Sequence, residues 1–397
     1  MAKINDTIVK RILDATHIED VVGKFVELKK RGPRYLGLCP FHDDRHIGNF
    51  SVYPKGNCYK CFACDAKGDA VTFLMESQKM SFADAIRWLG KQVGIDVDGR
   101  NVDLDIKAYE PPPPLPTLFL PEQMVAATEA RATHNNLIAW LNGLPWSSRQ
   151  RERIDGVLAA YHVGTSKWGD AIFWQIDENG GVRDGKMMKY LPDGHRDKST
   201  PYSINWVSRR LFKNGYFDED KWEPRRCLFG LHLLTRYPTA EVHVVESEKT
   251  ALFCAIYFGD PDRHLWLATA GKGNLTKHIL QPLIDARRVV ALHPDKDGVE
   301  DWEARRKDIG YKYAYVNNSV LTLQWQPQDG EKADVADVLQ RVMRDAQRDG
   351  KVKKLADIMP RIHTAEEIKL QQDNGKELQG STNEDKHPDI PATAASA

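Results

Sequence analysis

Two short knuckles constrain this 397-residue chain more than any other feature: Cys39-Pro40-Phe41-His42 and, after eighteen intervening residues, Cys61-Phe62-Ala63-Cys64. A two-residue spacing lets both side chains of a knuckle converge on one ion while backbone N–H groups support the thiolates. Two such pairs supply four soft or borderline donors in a closed tetrahedron, the donor set of structural zinc. Binding such an ion contributes on the order of 10 kcal/mol to the folding of a small ribbon. If these were ordinary buried cysteines beside an unrelated histidine, the doubled spacing would be coincidence. Cys58 opens a second register, because Cys58-Tyr59-Lys60-Cys61 has the same spacing. Cys61 and Cys64 are the favoured pair, with Cys58 a spare thiol. His46 is the weaker histidine and reads as a surface residue.

Four of the six cysteines crowd this region instead of spreading as a disulfide framework, which favours metal binding in a reducing, cytoplasmic compartment. The opening MAKINDTIVKRILDATHIEDVV has no uninterrupted apolar core behind a charged start, so no secretory signal is expected. No stretch approaches the ~20 apolar residues of a membrane span, and no membrane association is expected. Lys+Arg and Asp+Glu both number 56. That balance argues against sequence-independent coating of nucleic acid and leaves room for a confined basic groove.

A length of 397 residues with 41% hydrophobic content allows two or three domains with real cores. Residues 1–100 read as a zinc ribbon. Short helices are expected around Ile8, Ile12, Ile18, Val21 and Val22, strands at Tyr35–Leu38 and Phe50–Tyr53, and helices at Asp69–Met75 and Ser81–Val93, the last capped by Ser81. Pro111 to Pro114 and Pro116 neither donate to ladders nor continue helices, so 101–120 is a stiff linker. Residues 121–237 open with a helix from Pro121 to Trp140 and turn to strands between Ala159 and Lys189. From 238 to 345 the pattern becomes strand–helix–strand. Val242–Val245, Leu265–Ala268 and Arg288–Leu292 are short apolar runs of the buried parallel kind, followed by an amphipathic helix at Ala333–Gln347. The remainder, 346–397, is polar and expected to be mostly disordered. The fold class is therefore α/β and multidomain.

The segment Gly37-Leu38-Cys39-Pro40-Phe41-His42, then Cys61-Phe62-Ala63-Cys64 and Gly68-Asp69-Ala70, resembles the CHC2 zinc ribbon of bacterial DnaG-type primases over about Ile4 to Val97. The resemblance implies a ribbon that binds single-stranded template and helps to choose where a primer starts. Tyr35, Phe50, Tyr53, Tyr59 and Phe62, interleaved with Lys29, Lys30, Arg31, Arg34, Lys55 and Lys60, suit base stacking with phosphate contacts. Most of these aromatics are expected in the core, Phe50 and Phe62 in particular. Tyr53 and Lys60 are the candidates for template contact.

Val244-Val245-Glu246-Ser247-Glu248 places acids at the C-terminal end of one parallel strand, and a later strand ends in His293-Pro294-Asp295-Lys296-Asp297-Gly298. In an open parallel sheet, such strand ends share one crevice where ligands bind. Glu246, Asp295 and Asp297 are thus candidates to hold a hard divalent ion through oxygen. As an ordered set with Ala268-Thr269-Ala270-Gly271, they resemble the Toprim fold shared by bacterial primases and topoisomerases. The resemblance implies that these three acids bind catalytic Mg²⁺ or Mn²⁺. Ser247 stands where the family usually has glycine, and Thr250 where many members have a further acid, a place Glu248 would take. Asp334 and Asp337 look like a further acidic element of such folds.

Lys186-Met187-Met188-Lys189-Tyr190-Leu191 and Leu228-Phe229-Gly230-Leu231 resemble the basic α+β subdomain that precedes Toprim in primases, most of all those of mobile elements. Arg183, Lys186, Lys189, Arg196 and Lys198 become candidates for phosphate contact. Gly271-Lys272-Gly273-Asn274 lacks the G-x4-G-K-[ST] pattern, so no helicase ATPase is read here, though Lys272 remains a phosphate candidate. The expected function is synthesis of short RNA primers from ribonucleoside triphosphates on single-stranded DNA, with structural zinc, catalytic Mg²⁺ or Mn²⁺ and a separate replicative helicase as partner. The rivals are a Toprim-type nuclease and a non-catalytic, zinc-dependent DNA-binding protein.

Overall fold

The computed structural model describes residues 4–95, 97, 113–131, 135–199 and 203–349. Two compact units are present: residues 1–118 with 211–224, and residues 119–210 with 225–397. The expected tail beyond 349 and most of the linker, 101–112, lie outside the described residues. No helix among the described residues is long and apolar enough to cross a membrane.

In the first unit five antiparallel strands follow one another in chain order: β1 (Lys29–Arg31), β2 (Arg34–Gly37), β3 (Phe50–Tyr53), β4 (Cys58–Cys61) and β5 (Lys67–Gly68). The helix Asp6–Ala15 starts where the Asn5 side chain accepts the Thr7 N–H, and Ala70–Ser77 where Asp69 accepts that of Thr72. The helix Phe82–Val93 starts at Ser81, as its sequence predicts, and stops at Gly94 with φ +75°. Phe50, Tyr59 and Phe73 are fully buried and pack with Phe41. Each such ring contributes about 1.5–3 kcal/mol through burial. Tyr59, a stacking candidate by sequence, is thus a core residue; on β4 it alternates with the outward Lys60.

The second unit begins differently from expectation. In place of one helix from Pro121 to Trp140 there are two, Glu122–Glu129 and Asn136–Gly143. Asn135 explains the restart: its carboxamide oxygen accepts the Ile138 N–H, and its amide donates to Thr165 Oγ1 at 2.6 Å. An antiparallel sheet follows, ordered β6 (Val163–Thr165), β7 (Ala171–Ile176), β8 (Val182–Met188), β9 (Ile204–Trp206).

The parallel sheet comprises β10 (Glu241–Val245), β11 (His264–Ala268), β12 (Val290–His293) and β13 (Ala314–Val316), in the order β11-β10-β12-β13. Val242, Val244, Leu265, Leu267, Val290 and Leu292 share one face and join a core with Phe253 and Trp302. Arg288, expected inside a strand, precedes it; its guanidinium donates to the carbonyls of Leu234 and Tyr237. All four strands end at the same edge, which carries the acids.

Candidate active site and metal centre

The ribbon brings its four expected ligands together. Cys39 follows β2, Cys61 ends β4, and one ligand atom from each of Cys39, His42, Cys61 and Cys64 lies within 4.8 Å of the others. Cys39 Sγ and Cys64 Sγ are 3.7 Å apart. A tetrahedron with zinc–sulfur bonds of about 2.3 Å has edges of about 3.8 Å, so this spacing fits zinc. Burial raises the Cys61 thiol, but N–H groups of Cys64 and Ala63 outweigh it and bring the thiol below its ordinary range. His42 Nδ1 is buried without a hydrogen-bond partner among the described residues, as a ligand nitrogen would be. Cys58 stands apart from the cluster, one strand turn back on β4.

Sequence reasoning missed Asp44. Its carboxylate accepts the Cys39 N–H at 2.9 Å and the Asn49 amide at 2.9 Å, with Oδ1 3.9 Å from His42 Nε2. It therefore fixes the backbone of the first knuckle at Cys39 and places a negative charge near the His42 ring. The acidic pair directly after His42 was the available signal.

At the C-terminal edge of the parallel sheet, Glu246 follows β10 and Asp295 follows β12. Glu246 Oε1 accepts the Asp295 N–H at 3.4 Å. A Cβ on Gly298 would come within 2.8 Å of that same oxygen, so the closeness of the two loops depends on glycine there. Burial first, and then the charges of Asp334, Glu246, Asp297 and Asp337, together raise Asp295 to about 8. Burial likewise raises Glu246 to about 6, and Asp337 to about 6 with help from Asp334. Carboxylates that raise one another in a half-buried cleft form a strong negative potential, the setting for a hard divalent cation. Their oxygens are not drawn to one point as tightly as the ribbon donors are.

Asp334 enters this cluster from outside the sheet, anchored where Thr250 Oγ1 donates to its Oδ2 and where Lys296 N–H donates to the Ala333 carbonyl. Glu248 does not fill the place of an acid at 250. It is buried and its Oε2 accepts from Lys186 Nζ at 2.8 Å. Ser247 is half-buried at the start of the helix Glu248–Phe258.

Residues 4–103 match the family model described as the CHC2 zinc finger. This segment is similar to the CHC2 zinc finger. Over 95 residues it is 38% identical to a DNA primase of Clostridium acetobutylicum, and over 102 residues 36% identical to one of Geobacillus stearothermophilus. Those alignments cover 24% and 26% of this chain, and the chain spans 16% and 17% of those relatives. Residues 135–296 match a domain of unknown function, DUF6371. Among solved structures, the zinc-binding and RNA polymerase domains of Aquifex aeolicus primase align at 15% identity and a TM-score of 0.31, covering 88% of this chain and 85% of that one. The primase fragment of the bacteriophage T7 primase-helicase protein aligns at 11% and 0.35, covering 81% and 98%.

On the CHC2 finger, Phe62 departs from expectation. It is 60% exposed, because it sits inside the knuckle where Cys61 turns inward, and Lys60 Nζ lies 5.3 Å from its ring centre. Tyr53 is half-buried, and Lys60 also pairs with Asp65 at 3.5 Å. In the second unit, Arg183 is held by Asp177 at 2.5 Å and lies over Phe119. Lys186 is buried on Glu248 and the Ala270 carbonyl, so it is no groove residue. Lys189 is half-exposed beside Asp197, and Lys272 donates to the Asp297 carbonyl at 2.6 Å at the rim of the acid cluster. Sequence reasoning also missed Trp168, which is 60% exposed with Lys167 and Arg210 over its ring at 4.6 and 4.2 Å.

Proposed function

We propose that this chain is a DNA primase that builds short RNA primers from ribonucleoside triphosphates on single-stranded DNA, in the replication of a mobile element. The observation that carries the reading is the acidic edge: Glu246, Asp295 and Asp297, with Asp334 and Asp337 behind them, on a parallel sheet in the same chain as a CHC2 finger. Cys39, His42, Cys61 and Cys64 hold the structural zinc. Glu246, Asp295 and Asp297 hold Mg²⁺ or Mn²⁺. Such an ion, when bound, neutralises triphosphate charge and favours ionisation of the attacking 3′-hydroxyl. Phe62, Tyr53 and Lys60 face the template bases and phosphates. Lys272 and Lys189, both partly exposed, contact phosphate. A replicative helicase on a separate chain supplies the unwound template.

The test is incubation with single-stranded DNA, labelled ribonucleotides and Mg²⁺ or Mn²⁺. Primers of discrete length support the proposal; shortened DNA points to a nuclease, and retardation without chemistry to a binding protein. Asp295→Asn with Asp297→Asn is expected to abolish synthesis and to leave DNA retardation intact. Undiminished synthesis by that variant overturns the assignment of the acids.

A further inference from the structure

The parallel sheet carries a second cluster of ligand-type side chains at its opposite, N-terminal edge. The register pairs Glu241 with His264 and His243 with Trp266, and side chains two apart on a strand share a face. Glu241, His243 and His264 therefore project on the same side, and one donor atom of each lies within 4.8 Å of the others. From Glu241 to Glu246 the strand runs about 16 Å at ~3.3 Å per residue, so this cluster is separate from the acids at the other edge.

Three features of the cluster point to an ion. The first is an orphaned oxygen. Glu241 Oε1 accepts the Tyr315 hydroxyl at 2.6 Å, while Oε2 is buried with no hydrogen-bond partner among the described residues; the side chain is only 9% exposed. The second is the pairing of nitrogens. His243 Nε2 faces His264 Nδ1 at 3.1 Å and Glu241 Oε2 at 4.0 Å, and its Nδ1 faces His293 Nε2 at 3.0 Å. A neutral imidazole has one N–H. With that proton on Nδ1 and donated to His293, His243 turns the Nε2 lone pair towards His264 and Glu241. This is how a ligand histidine is usually oriented, its second nitrogen donating to a neighbour.

The third feature is rigidity. The ring of Trp266 stacks on His243 at 4.4 Å, and Phe258 stacks on Trp266, so His243 is set before any ligand arrives. His264 is less buried and lines a cavity of about 660 Å³. Edges of about 3.3 Å are expected between nitrogen and oxygen donors around zinc, with bonds of about 2.0 Å. The separations of 3.1 and 4.0 Å bracket that value.

We propose that Glu241, His243 and His264 form a second divalent-metal site, of the zinc class by its two imidazoles and one carboxylate, that staples the first ends of β10 and β11 together.

The test uses the full chain, loaded with zinc and desalted, with zinc counted per chain by mass spectrometry. Two equivalents are expected for the wild type and for Asp295→Asn/Asp297→Asn, and one for His264→Gln and for Glu241→Gln. One equivalent in the wild type, or two in His264→Gln, overturns the proposal. A second measurement removes folding from the question. In a Cys61→Ser background, added zinc is expected to raise the unfolding midpoint of the second unit, and to lose that effect when His264→Gln is added. Co²⁺ in the same background should give ligand-field bands that His264→Gln abolishes. A zinc response indifferent to His264 rules the site out.

Discussion

Replacing Lys186 by methionine removes a buried ammonium and strands a buried carboxylate. Lys186 and Glu248 are 7% and 1% exposed at their side chains, and they meet at 2.8 Å. Glu248 Oε1 already lacks a hydrogen-bond partner among the described residues, so no second donor stands ready to take over. Removing one member of a buried pair costs about 3–5 kcal/mol, because the other is left desolvated and uncompensated. The Ala270 carbonyl loses a donor as well, adding about 1 kcal/mol. In a body of roughly 200 residues, each kcal/mol lowers the unfolding midpoint by about 2–4 °C, so a drop of roughly 8–24 °C is expected. The double replacement Lys186→Met/Glu248→Met exchanges charge for apolar volume and should return to within about 2 kcal/mol of the wild type. Urea unfolding followed by tryptophan fluorescence reads the second unit through Trp174, Trp266 and Trp302, all fully buried. Refutation is a single variant within about 1 kcal/mol of the wild type, or a double variant no better than the single. If Lys186→Met also kept stability while losing nucleotide affinity, the lysine would belong to the substrate after all.

Three further outcomes are expected. Asp295 and Glu246 have folded pKa values raised to about 8 and about 6. The stability they lend is therefore fully present below their ordinary values near 4 and is lost progressively as pH climbs from there, by about pH 6 for Glu246 and by about pH 8 for Asp295. Without divalent ions the unfolding midpoint of the second unit should fall between pH 5.5 and 8.5; Mn²⁺ affinity should rise by up to about tenfold per pH unit over the same window, since ligands must be deprotonated. Paramagnetic titration of Mn²⁺ at the two pH values measures this, and an affinity that ignores pH contradicts it. Cys61→Ser should lose the ribbon zinc and, with it, on the order of 10 kcal/mol of folding free energy, seen as rapid proteolysis of residues 4–95; protection equal to the wild type would exclude a structural metal. Phe62→Ala should weaken binding of single-stranded DNA by about 1–3 kcal/mol without a change in stability, measured by fluorescence anisotropy; unaltered affinity would return Phe62 to an incidental surface residue.

What could be read from residue order follows from how local each feature is. The zinc knuckles needed only spacing, and the ends of three parallel strands could be placed by apolar runs of four or five residues. Lys186 could not. Its partner lies 62 residues away, and a lysine on a strand reads as solvated charge until the facing helix is known. Asp334 meets Thr250 across 84 residues, so its nearness to the cluster depends on tertiary packing that no window captures. Phe62 was misjudged because aromatic residues next to buried cysteines usually point inward, whereas a knuckle sends the residue after its first ligand outward. The break before Asn135 was hidden because apolar spacing on either side suits one continuous helix. His243 was concealed in the run Val242–Val245, where hydropathy marks a buried strand and says nothing of an imidazole within it.

The position of Asp334 bears on how the protein can be divided. By topology the parallel sheet is complete at Val316, and a truncation there would retain every strand and both loops that bear Glu246 and Asp295. Such a fragment would nonetheless discard Asp334, Asp337 and the helix Val335–Asp349, whose Val338 and Leu339 are fully buried. A dissection that respects the electrostatics has to keep that final helix; cut short of it, the remnant would have the right shape and the wrong charge.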